Sequence, residues 1–308
     1  MRQRDLGKTG LKVSVLGFGA SPLGGEFGAI DEAEGIRAVH RSIDLGINFF
    51  DTAPFYGRTR SETVLGHALE GRRHEVVLAT KVGRYGKTDF DFRPETILPG
   101  LDASLTRLKT DHVDVVYVHD IEFGDLDPIL SDTIPALVKA KEQGKVRAIG
   151  VSGLPLAILE AAVQGCELDL ILSYCHYHLA DQTLMQALAP MVRQRGMGLV
   201  NAAPLAMGLL TQPGPPAWHP APEALKSACR MAAHYCTDHG VDLADLALDF
   251  AIKSELIDST VVGMSTVAEV ERNVAAISTR ADMSIYEALA KILAPVSGVT
   301  WPSGKSMS

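Results

Sequence analysis

One short stretch, residues 48–57, carries an aspartate and a tyrosine in a setting suited to proton transfer. It reads Asn-Phe-Phe-Asp-Thr-Ala-Pro-Phe-Tyr-Gly, an apolar run followed by a turn, because Pro54 cannot donate to a strand ladder. Side chains alternate along a strand, so Asp51 shares a face with Phe49 and closes that face at the end of the run. Tyr56 follows in the turn.

Two further apolar runs end in a residue that can partner this carboxylate. The run at 76–81 ends in Lys81, and the run at 113–119 ends in His119. A buried charge is costly unless it is paired, so the aspartate needs such a cation. A phenol, with an ordinary pKa of about 10, is a weak base at neutral pH, and a nearby ammonium favours its anion. General acid–base chemistry is therefore predicted for Asp51, Tyr56, Lys81 and His119.

The elements that must position these residues alternate between strand and helix. Apolar runs predict eight strands, at residues 15–19, 48–51, 76–81, 113–119, 146–151, 168–173, 198–203 and 259–262. Amphipathic stretches predict helices from residue 31, at 61–69, 94–108 and 131–142, from 155, at 181–193, twice within 222–253, and from 266. Apolar strands separated by helices imply parallel pairing with the helices outside, and eight such units predict a closed (β/α)₈ TIM barrel.

The residues before the first strand predict a β-hairpin, because 4–6 and 11–13 flank the turn sequence Gly-Lys-Thr-Gly. A doubly wound open sheet is the alternative fold, but the glycines at 17, 19 and 24 have the wrong spacing for a dinucleotide fingerprint. In a barrel, active sites lie at the C-terminal strand ends, which is where the candidate catalytic residues fall. Without a linker-like segment, residues 1–308 are expected to form a single domain.

Charge and composition exclude several kinds of partner. The 308 residues carry a formal net charge of −8 and contain no basic run, which argues against nucleic acid and anionic membrane surfaces. No segment has the apolar length of a membrane span. The N-terminal Met-Arg-Gln-Arg lacks the apolar stretch of a secretory signal, so a cytoplasmic location is expected.

The four cysteines lack a Cys-x-x-Cys pair and are expected to be reduced thiols. Cys229 and Cys236 lie seven residues apart in a predicted helix and would share one buried stripe. The run Cys175-His176-Tyr177-His178 offers candidate metal ligands, since both histidines fall on one face of an extended segment. It lacks a carboxylate at ligand spacing or a second cluster, so no metal is expected.

Several motifs resemble those of the aldo-keto reductases, in the same order and across nearly the whole chain. They are residues 51–57, Thr80-Lys81, His119-Asp120, residues 150–152, and residues 263–265 with Asn273. The resemblance implies an enzyme that moves a hydride between a carbinol carbon and a nicotinamide. It gives Tyr56 the role of general acid and base, with Lys81 stabilising the phenolate, Asp51 orienting Lys81, and His119 bonding the substrate oxygen.

The resemblance also implies a nicotinamide cofactor. Glu269 stands where NADP-preferring relatives tend to place an arginine, and a carboxylate repels a 2′-phosphate, so NAD is expected over NADP. The alternative is that Glu269 only favours a helix N-terminus. Gly153, Ser173 and Ala202 replace the Asn, Gln and Tyr of many relatives, which leaves the ring contacts open. The implied cofactor-binding residues are Gly19, Ala20, Ser21, Asp51, Ser152, Gly153, Ser173, Pro204, Leu205, Gly208, Leu210, Gly263, Met264, Ser265, Glu269 and Asn273.

The implied substrate is an aldose oxidised at C1, with L-galactose, which would give its lactone, as the first candidate. L-Fucose, L-gulose and D-arabinose are alternatives that share much of its stereochemistry. Two other classes stay open: a broad NADPH-dependent reductase of aldehydes and ketones, and a regulatory subunit that binds a nucleotide. Sugars need both aromatic faces and hydrogen-bonding groups. The expected substrate contacts are Phe55, Tyr56, Tyr85, His119, Asp120, Phe123, His178 and Trp218.

Overall fold

The computed structural model describes residues 1–25, 28–277 and 282–305. In this part of the chain, two strands form an antiparallel pair, and eight parallel strands close into a barrel in the order β3 to β10, with β10 pairing back to β3. The predicted (β/α)₈ barrel with an N-terminal hairpin is confirmed. The strands are β1 (Gln3–Asp5), β2 (Lys12–Ser14), β3 (Leu16–Gly19), β4 (Phe49–Asp51), β5 (Val77–Val82), β6 (Val113–Val118), β7 (Val146–Gly153), β8 (Leu170–Tyr174), β9 (Gly198–Ala202) and β10 (Ser259–Gly263).

The helices lie on the outside of the barrel between the strands. They are α1 (Glu32–Asp44), α2 (Arg60–Ala68), α3 (Pro94–Arg107), α4 (Leu126–Pro128), α5 (Ile134–Glu142), α6 (Leu156–Gly165), α7 (Thr183–Ala187), α8 (Ala189–Gln194), α9 (Glu223–Asp238), α10 (Leu243–Lys253), α11 (Val267–Ala276) and α12 (Met283–Leu293). None of the described helices combines the length and apolar character needed to cross a membrane. That residues 1–308 form a single domain stays a prediction.

The barrel interior is filled by side chains that alternate along the strands. Phe49, Tyr117 and Leu170 belong to one buried interior cluster, which the hairpin residues Leu6 and Leu11 join. The hairpin therefore closes the N-terminal end of the barrel.

Glycine at the hairpin turn permits this close seating. Gly7 has a φ of +53°, and a Cβ there would lie 2.3 Å from the backbone nitrogen of Gly198 at the start of β9. The adjacent Lys8 N–H donates to the carbonyl oxygen of Gly196 at 2.9 Å. Only glycine allows the turn to pack directly on the strand.

A side-chain oxygen at the base of the barrel links the strands in pairs. Asp114 accepts from the N–H of Leu78 at 2.9 Å and joins β6 to β5. Asp169 accepts from Ile149 at 2.8 Å, Asp258 from Leu199 at 2.9 Å, and Asn48 from Ser14 at 2.6 Å. Each aspartate therefore ties the start of its strand, or the residue just before it, to the preceding strand of the barrel. Asn48 ties the start of β4 to Ser14, at the end of β2 and just before β3. The three carboxylates also carry cationic partners, namely Arg73 and Arg147 on Asp114, Lys141 on Asp169, and Arg193 on Asp258.

Two predicted helices differ from the structure. The helix predicted at 181–193 is two short helices, α7 and α8, and Pro190, which has no N–H, lies in the first turn of α8. The helix predicted at 131–142 begins earlier, at Leu126, and passes through a π-helical turn at Ile129–Thr133 before α5. Pro135 at the start of α5 cannot donate to the preceding turn, which suits this wider turn. Helix α12 was not predicted.

Replacing Asp114 with alanine should destabilise the fold strongly. The variant leaves the Leu78 N–H and the Arg73 guanidinium without their buried acceptor, which costs about 2 to 4 kcal/mol. Denaturant unfolding measures the loss. The control is Asp5→Ala, which removes an exposed ion pair with Lys12 and should change the free energy of unfolding little. Similar losses in both variants would show that the base carboxylate has no special role.

Candidate active site

Three neighbouring strands bring the predicted catalytic residues together. Asp51 is the last residue of β4, Lys81 lies near the end of β5, and His119 directly follows β6. The Lys81 ammonium donates to Asp51 Oδ1 and, at 2.8 Å, to the carbonyl oxygen of Thr52. Lys81 is only 1% exposed, so this ion pair is shielded from water. The parallel strands place all these groups at the C-terminal mouth of the barrel.

The turn after β4 returns Tyr56 to this group. The Lys81 nitrogen lies 4.9 Å from the centre of the Tyr56 ring. The Tyr56 and His119 rings meet edge to face, with 5.8 Å between their centres and 84° between their planes. A phenol, an imidazole and an ammonium therefore face one small region, where a single substrate oxygen can contact both rings' polar groups.

Opposing effects set the protonation of the phenol. Burial raises the pKa of Tyr56, while the Lys81 charge pulls that pKa down by less than burial raises it. Burial also lowers the pKa of Lys81, but the Asp51 carboxylate and the Tyr56 phenol together raise it by more, so the ammonium stays charged. Before substrate binds, Tyr56 is therefore protonated beside a permanent cation. The expected effect of Lys81 on the Tyr56 pKa is present, but it is smaller than the opposite effect of burial.

His119 is held as a neutral imidazole. Burial, followed by the charges of Lys81 and Arg84, lowers the pKa of His119 well below its usual value. Its Nε2 lies 3.6 Å from Asp120 Oδ2, and its Nδ1 is buried without a hydrogen-bond partner among the described residues. A neutral imidazole can donate one hydrogen bond to a substrate oxygen without repelling Lys81.

Arg84, which the sequence analysis did not select, is a central residue of the mouth. Its guanidinium forms an ion pair with Asp120 and lies 3.7 Å above the Phe55 ring. Phe90 and Phe123, which stack with 4.4 Å between ring centres, also lie near it. The available signal was position alone, since Arg84 closely follows the strand that carries the predicted catalytic lysine.

Glu122 is a second residue that the sequence analysis did not select. Its Oε1 accepts from the Leu154 N–H at 3.1 Å and from the Ser303 hydroxyl at 2.9 Å. Its Oε2 is buried without a partner among the described residues. Burial, together with the charge of Asp120, raises the pKa of Glu122 to about 7. Residues 303–305 thus pack on Glu122, whose carboxyl is largely protonated below neutral pH.

The structure brings some predicted substrate residues to the mouth and places others elsewhere. Phe55, Phe123 and Asp120 surround Arg84 beside His119. Tyr85 points its hydroxyl at helix α3, where a Cβ on Gly100 would lie 2.6 Å from it.

The other two predicted contacts have different surroundings. His178 is buried in the turn after β8, where its Nδ1 accepts from the Ala180 N–H at 3.2 Å. Burial lowers the pKa of His178 to about 4. Trp218 is 56% exposed and stacks on His219, with 6.2 Å between ring centres. Among the described residues, the structure gives Tyr85 and His178 no contact with the four predicted catalytic residues. A substrate role for Trp218 stays a prediction.

The opposite side of the mouth is built from small residues and fits a nicotinamide nucleotide. Gly19, Ala20, Ala202 and Gly263 end or follow β3, β9 and β10, so these strand ends contribute only small side chains. Asp51 Oδ2 is a buried acceptor without a partner among the described residues. Small residues and an unused acceptor suit a flat, polar ring.

The loop after β9 has a backbone that favours ligand contact. Ala203, Ala206 and Met207 all have positive φ, near +50°, which is costly for residues other than glycine. The loop also contains the expected cofactor residues Pro204, Leu205, Gly208 and Leu210. Strain of this kind concentrates where a backbone must follow a ligand.

The remaining expected cofactor residues fall into two groups. Ser152 accepts from the Asp120 N–H at 3.3 Å near the predicted catalytic residues, and Gly153 follows it at the end of β7. Ser173 is buried and, by strand alternation, faces away from the interior that Leu172 and Tyr174 contact.

The second group lies after β10, where Gly263, Met264 and Ser265 lead into α11 and its residues Glu269 and Asn273; Ser21 begins a short 3₁₀ turn after β3. Glu269 Oε2 accepts from the N–H groups of Ser265 and Thr266 and forms a capping box. The carboxylate is therefore held in place at the helix N-terminus.

The cysteine and histidine residues give no metal centre in the described part of the chain. No group of three or more His, Cys, Asp or Glu side chains there could hold a metal ion. His176 Nδ1 instead lies 3.2 Å from Asp181 and 3.0 Å from Thr183. All four cysteines are free thiols, and Cys229 and Cys236 lie on the buried face of α9, as predicted.

The fold and the mouth together define a barrel oxidoreductase that uses a nicotinamide cofactor. The family model described as the Aldo/keto reductase family matches residues 15–294. The chain therefore belongs to the aldo/keto reductase family, and the resemblance inferred from its motifs is confirmed.

Individual relatives cover almost the whole chain. It is 49% identical over 312 residues to an L-galactose dehydrogenase from Arabidopsis thaliana, covering 98% of this chain and 97% of that protein. It is 32% identical to a D-threo-aldose 1-dehydrogenase from Pseudomonas sp, covering 86% of this chain and 89% of that one. A solved aldo-keto reductase from Bacillus halodurans, in its holo form, matches with a TM-score of 0.79 and 27% identity, covering 100% of this chain and 99% of that chain.

The raised pKa of Glu122 predicts a pH-dependent cost to stability. Below pH 4.5 the carboxyl is protonated in both the folded and the unfolded chain. As the pH rises to about 7, the unfolded chain loses this proton first, so the free energy of unfolding falls. Glu122→Gln removes the effect. The free energy of unfolding of this variant, minus that of the wild type, should therefore be about 2 to 3 kcal/mol larger at pH 8 than at pH 4.5.

Denaturant unfolding at the two pH values measures this difference. The control is Asp125→Asn, which neutralises a neighbouring acid that is exposed and paired with Lys305. Asp125→Asn should show no comparable dependence. A Glu122→Gln effect that is equal at both pH values would contradict the assignment.

Proposed function

We propose that this protein is an NAD-dependent dehydrogenase that oxidises an aldose at C1, with L-galactose converted to its lactone. The observation that carries the proposal is the extended identity with the Arabidopsis thaliana L-galactose dehydrogenase, along nearly the full length of both chains. The mouth supports it, because aromatic faces and charged groups stand together at Phe55, Arg84, Asp120 and Phe123. Pyranose rings use both kinds of contact.

The four residues at the strand ends act on the C1 hydroxyl. When bound, the nicotinamide supplies the acceptor for the hydride that leaves C1. Tyr56 acts as general base in its phenolate form, which the Lys81 ammonium stabilises, and taking the hydroxyl proton returns it to the phenol. His119 donates a hydrogen bond to the same oxygen and orients it, since its imidazole is neutral. Asp51 keeps Lys81 charged and in place.

NAD is the proposed cofactor because Glu269 stands at the sequence position where NADP-preferring relatives tend to place an arginine. The capping box fixes its carboxylate through the N–H groups of Ser265 and Thr266. A fixed carboxylate repels a phosphate and can accept hydrogen bonds from a free ribose diol. The backbone after β9 would cover the pyrophosphate, and the small residues of β3 and β10 would lie beside the nicotinamide.

A reducing compartment such as the cytoplasm is the proposed location. The four cysteines are free thiols, and such thiols persist where glutathione keeps them reduced. A sugar is the proposed partner, and the net charge of −8 disfavours nucleic acid.

Replacing Tyr56 with phenylalanine should nearly abolish turnover. The variant loses the proton acceptor, which typically supplies about 10² to 10⁴ in rate, and should keep most of its cofactor affinity. Steady-state kinetics and cofactor binding by fluorescence measure the two effects separately. Lys81→Met should also lose most of its turnover, and its remaining activity should need a higher pH because the Tyr56 phenol no longer has a cation beside it. Near-normal turnover in Tyr56→Phe would mean that another group is the base.

Initial rates with NAD and NADP across a panel of free aldoses test the function itself. We expect L-galactose and NAD to give the highest kcat/KM, with NADH formed and the lactone identified as the product. L-Fucose, L-gulose and D-arabinose are the comparison sugars. Failure to oxidise any aldose, with brisk NADPH-dependent reduction of simple aldehydes, would favour the general reductase instead.

Two substitutions at Glu269 separate its charge from its capping role. Glu269→Gln removes the charge and preserves the capping box, so the preference for NAD should narrow while the thermal midpoint stays unchanged. Glu269→Arg should move the preference towards NADP. An unchanged preference in both variants would leave Glu269 with a helix-capping role only.

A further inference from the structure

Arg84 links two loops at the substrate side of the mouth. Gly83, with a φ of +95°, turns the chain after β5, and a Cβ there would lie 2.6 Å from the Phe92 ring. The following Arg84 extends to the loop after β6, where its Nη1 contacts Asp120 Oδ2. The central carbon of its guanidinium also lies 3.7 Å from the centre of the Phe55 ring. Arg84 thereby fixes both a carboxylate and an aromatic ring.

Asp120 is held in an unusual position by this contact. Its φ of +53° and ψ of 60° are left-handed, and its N–H donates to Ser152 Oγ. The side chain is buried at 2% exposure, directly beside His119. One carboxylate oxygen, Oδ2, contacts Arg84 and lies 3.6 Å from His119 Nε2. The described side-chain contacts of this carboxylate all involve Oδ2, which leaves Oδ1 available to a ligand donor.

We propose that Arg84 and Asp120 form the subsite for the hydroxyl group on the carbon next to the reacting carbon. Asp120 accepts the hydrogen bond from that hydroxyl, and Arg84 is a positioning residue that holds the carboxylate ionised and correctly turned. The inference rests on the proposed function and deepens it, since it applies to α-hydroxy aldehydes and to their cyclic forms. The reacting oxygen lies at Tyr56 and His119, so its neighbour on the substrate falls beside Asp120.

Electrostatics supports the division of roles. Burial raises the pKa of Asp120, and the ion pair with Arg84 is the main opposing effect. Removing the guanidinium would therefore leave Asp120 protonated over a wider pH range, as a poorer acceptor. The charged and titratable groups around Asp120 are Arg84, Lys81, His119, Glu122, Tyr56 and Tyr174.

A purely structural ion pair would give a different result. If Arg84 and Asp120 only hold the two loops together, their loss should lower kcat/KM for all substrates by the same factor. A hydroxyl subsite instead affects substrates that carry the neighbouring hydroxyl more than those that lack it. Reduction of glyceraldehyde and of propionaldehyde compares such a pair, since the two differ in hydroxylation and share a small aldehyde.

The experiment measures the ratio of kcat/KM for glyceraldehyde over propionaldehyde in four variants. Asp120→Asn and Arg84→Met should each lower this ratio by about 10- to 100-fold. Arg84→Lys retains the cation and should restore part of the ratio. The double variant Arg84→Met with Asp120→Asn should be no more than about twofold worse than Asp120→Asn alone, because Arg84 acts through Asp120.

The pH profile identifies Arg84 as acting through a carboxylate. In Arg84→Met the ratio should rise with pH as Asp120 ionises, whereas the double variant should show no such rise. Both variants retain Glu122, so a pH effect that came from the Glu122 carboxyl would appear in both profiles. Equal losses for both aldehydes, or additive losses in the double variant, would overturn the proposal. If the wild type oxidises no aldose, the proposed function fails while the aldehyde ratio still tests the subsite.

Discussion

The mouth of this barrel depends on one buried ion pair, between Lys81 and Asp51. Placing an ammonium and a carboxylate out of water is costly, and the cost is offset only when both find close partners. Here Lys81 meets the carboxylate of one neighbouring strand and the carbonyl of Thr52 beyond it. The pair therefore fixes the relative position of β4 and β5 and of the turn that carries Tyr56. A lysine in any other orientation would leave a charge without compensation in the core.

The groups around this pair divide the mouth into two unlike halves. Along β3, β9 and β10 the strand ends carry glycine and alanine, which are small and uncharged. Around β5 and β6 the loops carry Arg84, Asp120 and Glu122 among aromatic rings. One half suits a flat heteroaromatic ring, and the other suits a molecule with many hydroxyls. Hydride transfer needs both partners in contact, and the predicted catalytic residues lie on the boundary between the halves.

The sequence predicted the features that follow from periodicity and strand ends. The barrel, the hairpin and the position of Asp51, Lys81 and His119 all depend on where apolar runs stop. The residues that it missed depend on contacts between separate loops. Arg84 and Tyr85 are adjacent, and hydrophobic periodicity does not indicate which of them faces the mouth. The left-handed turn at Gly83 directs Arg84 towards the mouth and Tyr85 towards α3.

The protonation of Glu122 could not be predicted from the sequence either, because the residues that bury it, Ser303 and Gly153, are distant from it in the chain. The break between α7 and α8 was signalled by Pro190, yet the amphipathic pattern continues through it. Local pattern thus decides which elements form, whereas partner choice at the mouth is a long-range property.

The side-chain oxygens at the base of the barrel have a consequence for how the chain can be divided. Asp114, Asp169 and Asp258 join β5 to β6, β7 to β8 and β9 to β10, and Asn48 joins the start of β4 to Ser14, just before β3. These links mark four two-stranded quarters. A cut made between quarters, as in a circular permutation, leaves every one of these links within a continuous segment. A cut within a quarter would separate a linking oxygen from its amide along the chain. The quarters are thus the natural units for rearranging or recombining this barrel while its opposite end is redesigned.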